Sequence, residues 1–322
     1  MKDSRILESL NPNLIMDGFL VINKQKGWTS ADVVNKIKRV LKIKKAGHLG
    51  TLDPDATGVL LVAVGKATKV IRYINEGDKE YQAVMKLGEK TDTLDASGKV
   101  IETKEIPKLD RDKIEKVLKD FTGKISQTPP AYSAVKVDGV RAYELARKGK
   151  AVQIRPRDVV IKNISLTNIN IPFIAFNVVC SKGTYIRSLC SDIGERLGTT
   201  AYMFSLIRTA SGEFKIGDAV QIDDLEKTGI EWHQDRLIKI DEALGFMPEV
   251  RIKKDFEDKV KNGMPITASF IEKISHDFKL NDKVRIYSDE KLTAVGIAKY
   301  NSSQIADLSD KEALIKIDKV LV

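Results

Sequence analysis

The chain has 322 residues, 42% of them hydrophobic and 31% charged, enough to bury one large core and a second smaller one. No apolar run reaches the length that crosses a bilayer as a helix, and residues 1–5 lead into no export signal, so a cytoplasmic protein with no membrane partner is expected. Lysine and arginine total 54 against 45 acidic residues, and a net charge of +9 favours a polyanionic partner, nucleic acid ahead of a membrane surface. Cys180 and Cys190 form neither a disulfide framework nor a zinc spacing, and His48, His233 and His276 are scattered. Two buried, reduced thiols and no metal site are expected.

In chain order, residues 18–23 read as a short buried strand. Thr29 or Ser30 then caps a helix whose apolar face is Val33, Val34, Ile37, Val40 and Leu41. Lys36, Lys38 and Arg39 lie on its other face, and Lys42, Lys44 and Lys45 follow, so positive charge is delivered just ahead of His48. Residues 59–64 are continuously apolar, as in a strand buried on both faces. A helix is expected over 67–75. An alternating strand over 80–87 has Tyr81, Ala83, Met85 and Leu87 on one face. Helices follow over 113–121 and 141–148, with an extended segment at 127–130 between them. Residues 173–180 read as a buried strand, and a helix from about Tyr185 places Ile186, Leu189, Cys190, Ile193 and Leu197 on one face and Arg187 off it, with Gly198 as its stop. A boundary is expected near residues 244–248. Beyond it, short alternating segments at 284–287 and 292–297, with turns at Asn262-Gly263 and Ser288-Asp289-Glu290, read as a small β-rich domain.

Chemistry concentrates in residues 46–60, a turn-rich loop with Asp53 at its centre. Pro54 forces Asp53 into extended backbone, and Gly47, Gly50 and Gly58 permit close approach of a ligand. A carboxylate presented at the edge of a buried strand suits nucleophilic work. The same residues also describe an ordinary turn capped by Asp53 through its own backbone, and both readings stand on these residues alone. No Walker-type Gly-Lys-Ser/Thr is present, so a phosphate-cradling nucleotide loop is unsupported.

Residues 48–60, with Gly47-His48, Gly50, Leu52-Asp53-Pro54 and Ala56-Thr57-Gly58, resemble the active-site loop of the TruB family of bacterial tRNA pseudouridine synthases. Asp78-Lys79-Glu80-Tyr81 stands where that family has its active-site tyrosine. Two further stretches are similar: Gln127-Thr128-Pro129-Pro130-Ala131-Tyr132-Ser133-Ala134-Val135-Lys136, and Cys180-Ser181-Lys182-Gly183-Thr184-Tyr185-Ile186-Arg187. The tail, with Lys261-Asn262-Gly263 and Ala294-Val295-Gly296, resembles a PUA domain. The likeness spans roughly residues 17–300. It departs from the family's usual pattern at Gln25, where proline is usual, Leu49 (threonine), Tyr202 (histidine) and Ile207 (arginine).

The resemblance implies an α+β pseudouridine synthase fold: a mixed, mainly antiparallel central sheet flanked by helices over residues 1–246, and a small β-rich PUA-like domain over 247–322. It implies an enzyme that isomerises uridine 55 in the T arm of tRNA to pseudouridine with no cofactor, no metal and no guide RNA, acting as a monomer. Asp53 would be the nucleophile. Tyr81 would stack on the flipped uracil and serve proton removal at C5, Arg187 would pair with Asp53, and Tyr185 and Leu206 would line the uridine pocket. His48 would contact RNA, and Lys24 would support the Asp53 loop or touch phosphate. Two other readings compete: a guide-RNA-dependent pseudouridylase sharing the Asp53 loop, and a non-catalytic RNA-binding or RNA-folding protein that would not need Asp53, Tyr81 and Arg187 together.

Overall fold

A computed structural model describes residues 16–75, 77–149, 152–228, 235–309 and 312–321; residues 1–5 and His233 fall outside them. The first domain runs β1 (Gly18–Lys24), α1 (Ser30–Val40), β2 (Ala46–Leu49), β3 (Thr57–Val64), β4 (Lys79–Leu87), β5 (Glu89–Thr91), β6 (Val100–Thr103), α2 (Arg111–Asp120) and β7 (Gly123–Gln127). It continues through β8 (Lys136–Val137), β9 (Val140–Arg141), α3 (Ala142–Arg147), β10 (Arg157–Asn170), β11 (Phe173–Cys180), α4 (Ile186–Arg196) and β12 (Ala201–Ser211). It closes with β13 (Phe214–Lys215), α5 (Ile222–Thr228), β14 (Ile238–Lys239) and α6 (Ile240–Ala243).

The central sheet has the order β14-β1-β3-β12-β4-β11-β10-β7. Every pairing is antiparallel except β12 with β3, which run parallel where Ile207 and Arg208 meet Thr57 and Gly58. β2 folds back on the other half of that same β3 edge, His48 opposite Val62 and Leu49 opposite Leu61. Residues 50–56 therefore leave β2 and re-enter β3 beside β12. The true loop is shorter than residues 46–60, because both ends of that stretch are strand.

The sheet buries both faces near β3, as its unbroken apolar run predicts. On one face, Leu20, Ile22, Leu60 and Val62 pack with Val33, Val34 and Ile37 of α1 and with Leu189, Cys190 and Ile193 of α4. Thr29 caps α1, its hydroxyl accepting from the Asp32 N–H while Asp32 reaches back to the Thr29 N–H. Phe19, Val21, Val59 and Leu61 on the opposite face form a second cluster with Leu49, Leu244 and Met247. Both cysteines are buried free thiols.

Residues 67–75 are not one helix but two short 3-10 turns, Gly65–Lys69 and Ile71–Tyr73. Ala67, Val70, Tyr73 and Ile74 are buried there, and the backbone bonds that hold the turns run three residues back, Val70 N–H to Ala67, Tyr73 N–H to Val70 and Ile74 N–H to Ile71. The strands β10 and β12 have no clean alternation in sequence. Bulges between Met203 and Ser205 and between Arg208 and Ala210 flip the facing of β12 twice.

The second unit comprises β15 (Glu249–Ile252), α7 (Glu257–Lys261), β16 (Ile271–Ile274), β17 (Lys283–Ser288), β18 (Lys291–Ala298) and β19 (Ile315–Val320). Its sheet order is β16-β15-β17-β18-β19 around Val250, Ile252, Val284, Ile286 and Ala294. Two of its residues, Val295 and Leu321, belong instead to the back-face cluster of the first unit. Arg285 Nη1 donates to Asp241 Oδ1 at 2.9 Å, and the Tyr287 hydroxyl donates to the same carboxylate. Among the described residues no helix is long and apolar enough to cross a membrane.

Candidate active site

The Asp53 loop is braced from beneath at three points. Leu52 and Ala56, on either side of Asp53, are buried in the core. The Ser30 hydroxyl, at the start of α1, accepts from the Leu52 N–H at 3.0 Å and donates to the Leu52 carbonyl at 3.2 Å. Lys24, the last residue of β1, is fully buried, and its ammonium donates to the carbonyls of Trp28 (2.7 Å), Pro54 (2.9 Å) and Gln25 (3.1 Å). Burial pushes the Lys24 pKa down to about 8, against the pull of Asp53 and Asp55.

The third brace is Arg208 of β12, whose side chain is 2% exposed. Its Nε donates to the Val59 carbonyl and its Nη2 to the Gly50 carbonyl, each at 2.7 Å, so one guanidinium ties together the two ends of the loop. The Arg208 backbone passes so close to Gly58 that a Cβ there would lie 2.2 Å from the Arg208 carbonyl oxygen. Gly58 also has φ +100°, a conformation open to glycine.

Arg187, in the first turn of α4, meets Asp53 from above. Its Nη2 donates to Asp53 Oδ1 at 3.0 Å, and its Nε stands 2.9 Å from Oδ2 in an ion pair. The same guanidinium donates to the carbonyls of Thr93 (3.1 Å) and Tyr132 (3.0 Å), and Asp95 Oδ2 lies 3.5 Å from Nη1. Arg187 lies off the apolar stripe of its helix, yet its side chain is only 5% exposed because it is spent on this network. The Asp53 side chain keeps 35% of its surface open, leaving an edge for a substrate. Burial pushes the Asp53 carboxyl up from its ordinary range, and Arg187 draws it back toward ionisation.

Tyr81 lies on β4, directly across from Arg208 and buried. Burial raises its phenol to about 12, with the Arg208 guanidinium opposing the rise. Leu206 stands one pair further along the same buried face, opposite Ala83, in the cluster that holds Tyr81. Tyr185 caps α4 two residues before Arg187. Gln127 holds it by both backbone groups, accepting from its N–H at 2.8 Å and donating to its carbonyl at 3.1 Å, and the Arg157 guanidinium lies 4.7 Å above its ring. The structure thus gathers Asp53, Arg187, Lys24, Tyr81, Leu206 and Tyr185 around one loop. His48 lies on β2, half-buried opposite Val62 and two residues before Gly50, where the loop begins.

Two participants escaped sequence reasoning. Arg208 is one, because an arginine in a bulged strand carries no alternation signal. Asp95 is 8% exposed and accepts from Ser97 N–H, Ser97 Oγ and Thr93 Oγ1. Its neighbours Thr91-Asp92-Thr93 read as a generic polar turn, although Leu94 takes φ +59° there. The departures at Gln25 and Leu49 also have structural counterparts. Gln25 Nε2 donates to Asp223 of α5 at 3.3 Å, a side-chain tie where the resemblance would put a proline. Leu49 is packed in the back-face cluster. Tyr202 is buried with the Lys86 ammonium 5.8 Å from its ring centroid, whereas Ile207 is exposed.

Among the described residues no group of three or more His, Cys, Asp or Glu side chains could hold a metal ion. The arrangement offers a restrained carboxylate, a buried cation to keep it charged, and an aromatic wall beside it.

The profile of the TruB family pseudouridylate synthase N-terminal domain covers residues 38–186, that of the tRNA pseudouridylate synthase B C-terminal domain 187–245, and that of the PUA domain 248–321. The tRNA pseudouridine synthase B of Clostridium kluyveri is 43% identical over 287 residues, 88% of this chain and 96% of that protein. The chain belongs to the TruB family of pseudouridylate synthases. The Syntrophus aciditrophicus tRNA pseudouridine synthase B is 39% identical over 95% of this chain and 98% of its own length. Among solved structures, a Cbf5-Nop10-Gar1 complex aligns with TM-score 0.71 and 31% identity over 95% of this chain and 85% of that one. An H/ACA ribonucleoprotein bound to a substrate RNA containing 2'-deoxyuridine aligns with TM-score 0.70 and 30% identity, over 96% and 86%. A TruB-family chain thus has the expected α+β pseudouridine synthase fold followed by a PUA domain.

Proposed function

We propose that this pseudouridylate synthase acts on tRNA, converting uridine 55 of the T arm to pseudouridine, with Asp53 as the nucleophile and no cofactor or guide RNA. The observation that carries the proposal is the Arg187–Asp53 pair. A guanidinium buried to 5% exposure and aimed at a half-open carboxylate is a costly arrangement that RNA binding alone does not need. The reaction breaks the N1–C1′ bond, turns the uracil, joins C5 to C1′, and moves a proton from C5 while N1 gains one. No electrons are exchanged, so the balance calls for no redox group. An ionised Asp53 can open it by attack on C1′ or on C6.

Tyr81 supplies a face on which the extruded base stacks, and its hydroxyl serves removal of the C5 proton. Extrusion costs a few kcal/mol, which such stacking offsets. Leu206 and Tyr185 close the pocket around the base, and His48, half-buried on β2, faces the RNA. Lys24, held by three carbonyls, fixes the loop instead of reaching phosphate. The guide-free reading is supported by the curated tRNA synthases, which this chain covers almost end to end at 39–43% identity.

A tRNA transcript incubated with the purified protein alone, followed by mapping of pseudouridine, tests the reading. Conversion at the single T-arm position is expected, undiminished by a chelator, and an Asp53→Asn variant should bind the transcript and leave it unmodified. Unmodified RNA from the wild-type protein, or wild-type turnover by a clean Asp53→Asn preparation, would overturn it.

A further inference from the structure

Residues 127–132 pass from the end of β7 to the first turn of α4, the turn that carries Arg187. Gln127 is the last residue of β7 and pairs with Arg157 of β10. Pro129 and Pro130 are buried and have no N–H to continue the ladder, so the chain leaves the sheet there with φ fixed at two successive residues. Each proline also holds the residue before it extended.

Three ties join this strap to α4. The Gln127 amide, 1% exposed, accepts from the Tyr185 N–H and donates to the Tyr185 carbonyl. The buried Ser188 hydroxyl donates to the Thr128 carbonyl at 2.7 Å. The Tyr132 carbonyl accepts from Arg187 Nη2 at 3.0 Å. Tyr185 is the N-cap of α4 and its side chain makes no capping bond, so the entry of the chain into the helix is held from outside, by Gln127. A side-chain oxygen at the N-cap itself would close the helix start locally. An amide brought from β7, 58 residues away in sequence, also fixes where the first turn lies relative to the sheet.

The last tie bears on Asp53. Arg187 Nη2 has two hydrogens, and its two acceptors are the Tyr132 carbonyl and Asp53 Oδ1, each at 3.0 Å. A planar guanidinium cannot turn one N–H without the other, so the place of Tyr132 sets the aim of the fork on the carboxylate. The charged groups that act on the Asp53 carboxyl are Arg187 from α4, Asp95 from the turn between β5 and β6, and Lys24 from β1. We propose that residues 127–132 are a strap that sets Arg187 against Asp53, with Gln127 and Ser188 as positioning residues that never touch the substrate. This assignment rests on the reading of Asp53 as the nucleophile.

The test follows Asp53 directly, in the full chain labelled with carbon-13 at the aspartate carboxyl carbons, its resonance identified by its loss in Asp53→Asn. Gln127→Met keeps the length of the side chain and removes both bonds to Tyr185, while Ser188→Ala removes one hydroxyl. In each, the Asp53 titration is expected to move to higher pH, in the same direction as in Arg187→Gln. Adding Gln127→Met to Arg187→Gln should move it no further, and Ser188→Thr, which keeps the hydroxyl, should leave it at the wild-type position. Single-turnover conversion of tRNA by Gln127→Met should fall by about 10- to 100-fold, the loss that a displacement of about 1 Å at a reacting group can bring. An Asp53 titration unchanged in both Gln127→Met and Ser188→Ala, with only the melting temperature lowered, would overturn the proposal and leave the strap a support for the fold. If the wild-type protein makes no pseudouridine, the catalytic reading falls, while the titrations still decide whether the strap sets Arg187.

Discussion

Replacing Arg187 isolates the electrostatic debt of the Asp53 carboxylate. In the intact site burial raises the Asp53 pKa and Arg187 lowers it, so removing the cation leaves the upward effect unopposed. Breaking a buried ion pair costs about 3–5 kcal/mol. Asp53 retains 35% side-chain exposure, and solvent screening reduces the electrostatic share to ~2 kcal/mol. Arg187→Gln should therefore raise the Asp53 pKa further. With Asp53 as the proposed nucleophile, active when ionised, the acid limb of the single-turnover rate, followed from pH 5 to 9 with saturating RNA, should move to higher pH by about one pH unit or more, since ~2 kcal/mol compares with about 1.36 kcal/mol per pH unit. Arg187→Lys keeps the charge but loses the fork that reaches Asp53, Thr93 and Tyr132. Its limb should stay near the wild-type position while its plateau falls. The same linkage has a stability sign. A carboxyl that binds its proton more tightly folded than unfolded removes stability as pH rises through the interval between the two pKa values, so Arg187→Gln should melt lower at pH 8 than at pH 5. An acid limb in Arg187→Gln coincident with wild type would refute the reasoning, since Arg187 would then not set the ionisation of Asp53.

Tyr81→Phe keeps the ring and removes the hydroxyl; RNA affinity should hold while single-turnover rate drops by about 100-fold or more if the hydroxyl takes part in C5 proton transfer, and near-normal turnover would assign Tyr81 to stacking alone. Lys24→Met removes the ammonium from the Gln25 and Trp28 carbonyls and leaves the Pro54 carbonyl with the Gly27 N–H alone, which should cost about 3 kcal/mol in urea unfolding, with turnover falling because the Pro54 carbonyl loses one of its two anchors. Gly58→Ala places a methyl 2.2 Å from a backbone oxygen, and thermal melting should show a loss of about 3 kcal/mol or more. A fragment ending at residue 246 loses Met247, Val295 and Leu321 from the back-face cluster, about 4.5–9 kcal/mol of apolar burial, so its melting temperature should fall well below that of the whole chain.

Much of the fold was legible because several elements are locally consistent. The apolar run of β3, the capped and striped α1, and the 3.6-residue spacing of α4 each state their own burial. The pseudouridine synthase fold and the PUA domain followed from motifs that resembled the family. The hidden parts are those whose role is assigned by distant partners. Lys24 was assigned to the Asp53 loop only through the resemblance, because by itself it is a lysine in a polar loop, and the Pro54 carbonyl that helps hold it comes thirty residues later. Arg208 is masked by bulges that scramble β12. Asp95 sits in a turn whose composition would suit any surface. The 3-10 turns at 65–73 were misread as a helix because their three-residue spacing is close to a helical one. For Lys24, Arg208 and Asp95 the deciding contact is long-range, and a local pattern cannot contain it.

The apolar cluster shared by Leu244, Met247, Val295 and Leu321, with Asp241 holding Arg285 and Tyr287, bears on modularity. The C-terminal domain of this chain is not a portable cassette. A chimaera that imports a PUA domain from a relative inherits foreign side chains at Val295, Leu321 and Arg285 and sets them against native partners at 241–247. Exchange by recombination should therefore succeed only with crossover points upstream of Asp241, or with co-transfer of the residues that face it, so the two halves are tied to change in step.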